Sequence, residues 1–176
     1  MKAYLILEDG TVFTGKSIGS TKEIISEIVF NTSMTGYLEV LTDPSYAGQA
    51  VVMTYPLIGN YGICYEDMES AKPWPDGYIV RELSRMPSNF RCEGTIQEFL
   101  EKHDIPGIAG IDTRALTKIL REKGTMNGMI TTCEYEDLSE VLPKIAAYNT
   151  GKVVEKVTCT EKYVLEVAVR TESSTS

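Results

Sequence analysis

Cysteine and histidine are the residues of this chain with the chemistry for nucleophilic catalysis. An activated cysteine needs a neighbouring base, usually histidine, and in many hydrolases it lies on a sharp turn flanked by glycines. The 176 residues include four cysteines, Cys64, Cys92, Cys133 and Cys159, and a single histidine, His103. None of the cysteines lies on such a turn, and His103 ends a predicted helix, where it complements the helix dipole or meets solvent. We therefore predict no catalytic residue among them.

Metal binding and disulfide formation are the other chemistry that cysteines support. These four stand 28, 41 and 26 positions apart without a Cys-x-x-Cys pair, and one histidine cannot fill a multi-histidine site. The sequence therefore predicts no metal site. A disulfide pair is compatible with this spacing, but reduced thiols are the expectation for a protein of the cytosol.

Phosphate binding and acid–base catalysis have no clear signature either. The sequence contains neither a glycine-rich phosphate-binding loop nor a dinucleotide-binding fingerprint, so no cofactor-binding residue is predicted. Adjacent carboxylates occur at Glu8–Asp9, Glu66–Asp67 and Glu136–Asp137. We expect the two side chains of each pair to face solvent in different directions rather than to share a proton.

Composition limits the partners of the chain. The formal net charge is −8 at pH 7, so nucleic acid and an anionic membrane surface are not expected as partners, since both would be repelled at long range. The first apolar run, Met1–Leu7, is too short for a signal peptide and is followed at once by two acidic residues. No other segment approaches the roughly 20 apolar residues of a membrane span, so we expect a cytoplasmic protein.

Turn and cap signals divide the first half of the chain into strands and one short helix. Glu8–Gly10 supplies the positive-φ position of a tight hairpin. Thr35 is a candidate N-cap, and its helix must end before Pro44, because the residue preceding a proline avoids helical angles. The predicted elements are strands over Ala3–Leu7, Val12–Ser17, Ile24–Asn31, Gln49–Thr54 and Gly77–Arg81, a helix over Thr35–Leu41, a turn over Asp43–Tyr46 and an irregular surface segment over Tyr65–Pro75.

The second half alternates helices with strands. Thr95 and Glu98 match a capping box, and Asp112 and Gly124 are cap residues at the two ends of an amphipathic helix. Pro143 is expected to kink or shorten a third helix. The predicted elements are helices over 95–103, Thr113–Lys123 and Asp137–Ala147, strands over Ile105–Ile111, Met126–Thr132, Val153–Val157 and Tyr163–Arg170, and a disordered tail over Thr171–Ser176. Together the two halves predict one mixed α/β domain.

The segment Asn31–Gly62 places glycine, proline and small hydroxyl residues between apolar runs at a density that an ordinary loop does not need. This pattern indicates several closely specified backbone bends. Within it, Ser45 follows an Asp-Pro pair, a context in which serine is a turn or cap residue. The tyrosines of the segment could belong to the core or to an interface. They are Tyr37, Tyr46, Tyr55 and Tyr61.

The same segment carries motifs that resemble the amino-terminal domain of the small, glutamine-using subunit of carbamoyl-phosphate synthetase. The likeness runs from Leu7–Gly10 to Val153–Val157. Its specific motifs are Phe30–Tyr37, Leu41–Tyr46, Thr54–Pro56, Ile58–Gly62, Gly110–Thr117 and Leu120–Gly124. Two positions depart from the family pattern, since Leu38 stands where glutamine is usual and Ser26 where glycine is usual. We expect these departures to concern the local surface.

The resemblance implies a three-layer β/β/α swivelling domain over residues 1–151. Residues 152–170 would then lead toward a class I glutamine amidotransferase domain that is absent from this chain, and 171–176 would form the tail. By the same resemblance, Ser45 contacts glutamine in the site of that neighbouring domain. The large subunit would be the partner and would bind ATP and Mg²⁺, so no cofactor is expected in this chain.

The resemblance also implies a holoenzyme that makes carbamoyl phosphate from glutamine, bicarbonate and ATP for arginine and pyrimidine synthesis. This chain alone is expected to be inactive, because the Cys-His-Glu triad of the amidotransferase is missing from it. An excised fragment and a shortened gene both fit its length. Two alternatives stay open: a non-catalytic assembly module that binds the large subunit or a separate amidotransferase chain, and a stand-alone binding domain with the same fold.

Overall fold

Most strands of this protein hydrogen-bond into one closed sheet. The structure is a computed structural model that describes residues 1–70, 72–84, 86–89, 91–151, 153, 157 and 158. Its strands are β1 (Lys2–Leu7), β2 (Val12–Gly19), β3 (Ile24–Asn31), β4 (Gln49–Met53), β5 (Leu57–Ile58), β6 (Gly77–Val80), β7 (Glu82–Leu83), β8 (Pro106–Ala109) and β9 (Met126–Thr131). The α-helices that lie wholly within the described residues are α1 (Tyr37–Thr42), α2 (Ile96–Lys102), α3 (Thr113–Lys123) and α4 (Leu142–Ala146), and short 3-10 turns lie at Pro44–Tyr46, Tyr65–Asp67 and Leu138–Glu140.

Seven of these strands close into a barrel in the order β1-β2-β8-β6-β4-β3-β9. β9 closes it by pairing antiparallel with β1, where Leu5 faces Ile130, and with β3, where Ser26 faces Gly128. β3, β4, β6 and β8 run parallel to one another. Their carboxyl ends, and the loops that follow them, therefore lie at the same end of the barrel. β5 and β7 pair as a separate short parallel ribbon.

Successive side chains of the barrel strands point alternately into the barrel and outward. They therefore form an interior hydrophobic core and separate exterior hydrophobic cores. In β1, Ala3, Leu5 and Leu7 belong to the interior cluster, whereas Tyr4 and Ile6 pack in a second cluster with residues of α4. This period of two is the geometry of a strand whose faces meet different neighbours. Because both faces are covered, the strand is apolar throughout rather than alternately polar.

The helices cover the barrel from different sides. α3 contributes Leu116 and Leu120 to the interior cluster, and it follows β8 through a short connection, so it packs over the end where β8 finishes. α1 and α2 instead build the largest exterior cluster, to which they contribute residues such as Leu41 and Phe99. The loops that contain the glycine-rich motifs lie around this exterior cluster.

Most predicted elements are confirmed, and with them the mixed α/β class. α2 begins at the Thr95 capping box, in which both reciprocal hydrogen bonds are present. α3 has its predicted bounds, with Asp112 accepting from two amides of the first turn and Gly124 ending the helix at φ 90°. Gly10 has φ 84° in the first hairpin. The bounds of the predicted barrel strands differ from the observed ones by at most two residues.

The predicted helix cap at Thr35 is wrong. α1 begins at Tyr37, and its N-cap is Gly36, which has φ 79° and no capping side chain. The amides of Gly36 and Tyr37 donate instead to the hydroxyl of Tyr61, at 2.8 and 3.3 Å. A side chain distant in sequence thus satisfies the amides that a local cap would have satisfied, which a local pattern does not reveal.

The third predicted helix needs correction as well. Asp137–Ala147 is not one helix, but a 3-10 turn followed by α4. Pro143 lies in the first turn of α4, where its missing amide hydrogen costs nothing, and it therefore shortens the helix instead of kinking it.

The last predicted elements are only partly covered by the structure. Val153 and Val157, predicted to bound a strand, are helical, so that prediction is wrong at both residues. The predicted strand Tyr163–Arg170 and the tail 171–176 lie outside the described residues. The domain boundaries at 151 and 170 stay predictions.

Asp9 links the first hairpin to α3. Its carboxylate accepts from the amide of Thr11 at 2.9 Å and lies 2.7 Å from the ammonium of Lys123 at the end of α3. Partial burial raises the pKa of Asp9, but Lys123 and the Thr11 amide lower it by more, so the pKa lies below its ordinary value. Asp9 therefore stabilises the fold above about pH 4, and this stabilisation is lost as the pH falls through the folded-state pKa.

We predict that Lys123→Gln lowers the free energy of unfolding at about pH 7 and that this effect diminishes toward about pH 3, as Asp9 becomes protonated. Urea unfolding across this pH range measures the difference. Lys118→Gln is the matched control on the same helix, because Lys118 and Glu122 form an exposed pair at 3.8 Å and such pairs contribute little. A loss that is independent of pH for Lys123→Gln would contradict the role given to Asp9.

Candidate functional site

Ser45 lies on the 3-10 turn Pro44–Tyr46, which begins two residues after α1 ends. The carboxylate of Asp43 accepts from the Ser45 amide at 2.8 Å, and Pro44 occupies the first position of the turn. The side chain of Ser45 is exposed, and within the described residues its hydroxyl has no hydrogen-bond partner. The backbone of the turn is thus held locally, while the hydroxyl is available to a ligand.

Tyr46 and Asn31 anchor this turn to the barrel. The side-chain nitrogen of Asn31, at the carboxyl end of β3, donates to the hydroxyl of Tyr46 at 2.9 Å. The side-chain oxygen of Asn31 accepts from the amide of Ser33 at 2.7 Å, and the Tyr46 ring packs against the exterior core. Sequence reasoning missed Asn31, although an asparagine two residues before Ser33 has the spacing of an Asx turn. The Ser45 turn therefore has a defined position relative to the end of β3.

Tyr37 and Tyr61 join two of the glycine-rich loops. Their rings stack with centroids 4.1 Å apart. The Tyr61 hydroxyl accepts from the Gly36 and Tyr37 amides, whereas the Tyr37 hydroxyl accepts from the Tyr61 amide at 3.2 Å. It also donates to the carbonyl of Gly62 at 2.7 Å. Each tyrosine thus satisfies backbone groups of the other's loop, so both belong to the architecture of the domain.

Burial keeps the phenols of this region protonated. It raises the pKa of Tyr37, of Tyr61 and of Tyr78, which lies fully buried in the same exterior core. A neutral phenol can both donate and accept, as the Tyr37 hydroxyl does. The Tyr78 hydroxyl differs, because it has no hydrogen-bond partner among the described residues.

The three described cysteines, Cys64, Cys92 and Cys133, are free thiols, as predicted. Cys64 is buried, with its sulfur 3.3 Å from the guanidinium of Arg91. No hydrogen bond joins any of these three thiols to a histidine in the part of the chain that the structure describes. Cys159 lies outside the described residues.

His103 ends α2 with its ring centroid 4.7 Å from that of Phe99. Burial, and to a smaller extent the charge of Lys102, lower the pKa of His103, which favours a neutral ring over a cation at the helix end. Within the described residues no group of three or more histidine, cysteine, aspartate or glutamate side chains is placed to hold a metal ion. None of the described helices is both long and apolar enough to cross a membrane.

Most of the adjacent carboxylates have structural partners. Glu66 and Asp67 both lie 3.1 Å from the guanidinium of Arg91. The expectation that the two side chains diverge is therefore wrong for this pair, because one cation holds both. Asp9 and Asp137 accept from backbone amides of their own turns. These contacts give Asp9, Glu66, Asp67 and Asp137 structural partners.

Comparison with known proteins relates this site to a family. The family model described as the carbamoyl-phosphate synthase small chain, CPSase domain, matches residues 5–130. The matched range includes the Ser45 turn and the two loops that the tyrosines join. This chain belongs to the carbamoyl-phosphate synthase small chain family. The barrel described above thus corresponds to the CPSase domain of that family.

Individual carbamoyl phosphate synthase small chains agree with this assignment. The chain is 55% identical to that of Clostridium perfringens over 163 residues, which cover 93% of this chain and 46% of the relative. It is 50% identical to that of Syntrophotalea carbinolica over 165 residues, 93% of this chain and 44% of the relative. It is 59% identical to that of Caldanaerobacter subterraneus over 131 residues, which cover 74% of this chain and 37% of the relative. The chain therefore spans less than half the length of these curated relatives.

Leu38 and Ser26, the two departures from the family pattern, are 1% and 0% exposed. The expectation that they concern the surface is wrong, because both side chains point into packed regions. Leu38 belongs to the exterior core. The hydroxyl of Ser26 donates to the carbonyl of Gly48 at 2.9 Å and lies 3.3 Å from a carboxylate oxygen of Asp76. These departures therefore bear on internal packing and hydrogen bonding.

We predict opposite outcomes for two phenol-to-phenyl changes in this region. Tyr61→Phe removes the acceptor of two backbone amides and should cost about 1 to 3 kcal/mol of unfolding free energy. Tyr78→Phe removes a buried hydroxyl without a partner and should leave stability unchanged or raise it by up to about 1 kcal/mol. Urea unfolding of both variants against the parent measures the difference. A greater loss for Tyr78→Phe than for Tyr61→Phe would show that the assignment of hydrogen bonds is wrong.

Proposed function

We propose that this chain is the amino-terminal domain of the glutamine-hydrolysing small subunit of carbamoyl-phosphate synthase, and that it completes the glutamine site of a neighbouring class I amidotransferase domain. The observation that supports this role is the exposed hydroxyl of Ser45, which has no hydrogen-bond partner among the described residues and lies on a turn held by Asp43 and Tyr46. A donor positioned in advance reduces the entropy lost when a ligand binds. The greater length of the relatives leaves room for such a domain.

In this proposal the small subunit hydrolyses glutamine and passes ammonia to the large subunit. There ammonia reacts with bicarbonate activated by ATP, with Mg²⁺, to give carbamoyl phosphate for arginine and pyrimidine synthesis in the cytoplasm. The chain described here contributes recognition of glutamine and docking to the large subunit. It is inactive by itself, because glutamine hydrolysis requires the nucleophile and base of the amidotransferase domain.

A second candidate is an assembly module that binds the large subunit without taking part in glutamine recognition. Exposed apolar side chains in the segments that follow the parallel strands β3, β4 and β6 favour it. They are Met34, Tyr55, Leu57 and Met86, with 72%, 39%, 37% and 83% of their surface exposed. In this case Ser45 would have no ligand, which separates the two candidates experimentally.

We predict that Ser45→Ala, in this chain restored to a full-length small subunit with its large subunit, raises KM for glutamine about tenfold, the effect of losing one hydrogen bond. Ammonia-dependent synthesis should not change, because ammonia bypasses the glutamine site. Steady-state assays with the two nitrogen donors measure both quantities.

The matched control is Ser139→Ala. Ser139 lies on a similar exposed 3-10 turn, in which Asp137 accepts its amide at 2.9 Å, as Asp43 does for Ser45 at 2.8 Å. Ser139→Ala should leave KM unchanged. Equal losses with glutamine and ammonia for Ser45→Ala would show a defect of folding or assembly. An unchanged KM would refute glutamine recognition by this chain and favour the assembly module.

A further inference from the structure

The segment Tyr148–Thr150 lies against the residues that connect the Ser45 turn to β4. Gly48 is three residues after Ser45 and has φ 79°. A Cβ atom at Gly48 would overlap the methyl group of Thr150 and would lie 3.6 Å from a methyl group of Val153. Only glycine allows both this backbone conformation and this close approach.

Hydrogen bonds hold the two segments in the same arrangement. The Ser26 hydroxyl donates to the Gly48 carbonyl at 2.9 Å, and the side chain of Tyr148 interacts with Ser26 and Asp76. The carbonyl of Tyr148 accepts from the side chain of Asn127 in β9 at 3.0 Å. Buried Ser26 thus connects the residues after the Ser45 turn with the segment that returns from α4.

We infer that Gly48 is a positioning residue for Ser45, which acts by letting the segment Tyr148–Thr150 pack directly against the residues that follow the Ser45 turn. This inference rests on the proposed function. In that function the polypeptide leads from this segment toward the amidotransferase domain, so the contact between Gly48 and Thr150 sets where the Ser45 hydroxyl lies relative to that domain. A change of about 1 Å at a positioned group is enough to reduce its contribution strongly.

The test is Gly48→Ala in the full-length small subunit with its large subunit. We expect KM for glutamine to rise about tenfold, with the ammonia-dependent rate unchanged. Adding Thr150→Ala removes the overlapping methyl group and should return KM to within about twofold of the parent. The matched control is Gly151→Ala, at a glycine with φ 69° and no atom within 4 Å of the added Cβ, which should leave KM unchanged.

A structural readout accompanies the kinetics. The Gly151 amide donates to the side chain of Asn149 at 3.0 Å, and the Val153 amide to the Gly151 carbonyl at 3.1 Å. Gly48→Ala should accelerate hydrogen exchange at these two amides, and Thr150→Ala should restore the parent rates. This readout depends on the contact itself and not on glutamine.

The outcomes separate this inference from the proposed function. An unchanged KM for Gly48→Ala, with a raised KM for Ser45→Ala, would overturn the inference and leave the proposed function standing. A raised KM that Thr150→Ala does not correct would also overturn it, because backbone strain at residue 48 would then be the cause. Equal losses with both nitrogen donors would show a defect of folding or assembly and overturn it too. An unchanged KM for Ser45→Ala would refute the proposed function itself.

Discussion

Closure of the barrel by β9 is the constraint on which the rest of the structure depends. β9 hydrogen-bonds to β1 on one side and to β3 on the other, so the barrel strands have no exposed edge. Closure demands a tightly filled interior. A Cβ at Gly128 of β9 would lie 2.8 Å from a side-chain carbon of Ile28 and 3.2 Å from one of Leu7, so glycine is required where β9 passes these residues. Each loop of the candidate site begins or ends at a strand that this closure places.

The parallel direction of three barrel strands brings loops of the candidate site together. Because β3, β4 and β6 run in the same direction, their following loops meet, and the reciprocal contacts of Tyr37 and Tyr61 hold two of them together. The Ser45 turn is then restrained from both sides: Tyr46 ties it to the end of β3, and Gly48 leads it into β4. A domain built in this way can present one hydroxyl in a defined place.

Whether an element could be predicted from the sequence depends on how far apart in the chain its hydrogen-bonded residues lie. The capping box at Thr95 and the cap at Asp112 were predictable, because their hydrogen bonds join residues at most three positions apart. The prediction of Thr35 as the helix cap was wrong because the amides at the start of α1 donate to the hydroxyl of Tyr61, which is 24 and 25 residues away. Ser26 looked like a surface departure for the same reason, since its partner Gly48 lies 22 residues away.

The sequence by itself determined the types and bounds of most elements. It also led to the expectation that no cysteine–histidine pair is catalytic, and its motifs indicated the family and Ser45 as the candidate residue. Only the tertiary structure decided the closed order of the strands, the reciprocal tyrosine contacts and the packing of Thr150 on Gly48. The physical reason is that caps and turns are stabilised by neighbours within a few residues. Barrel closure and loop-to-loop contacts instead join residues far apart in the chain, and they exist only when the strand order has been established.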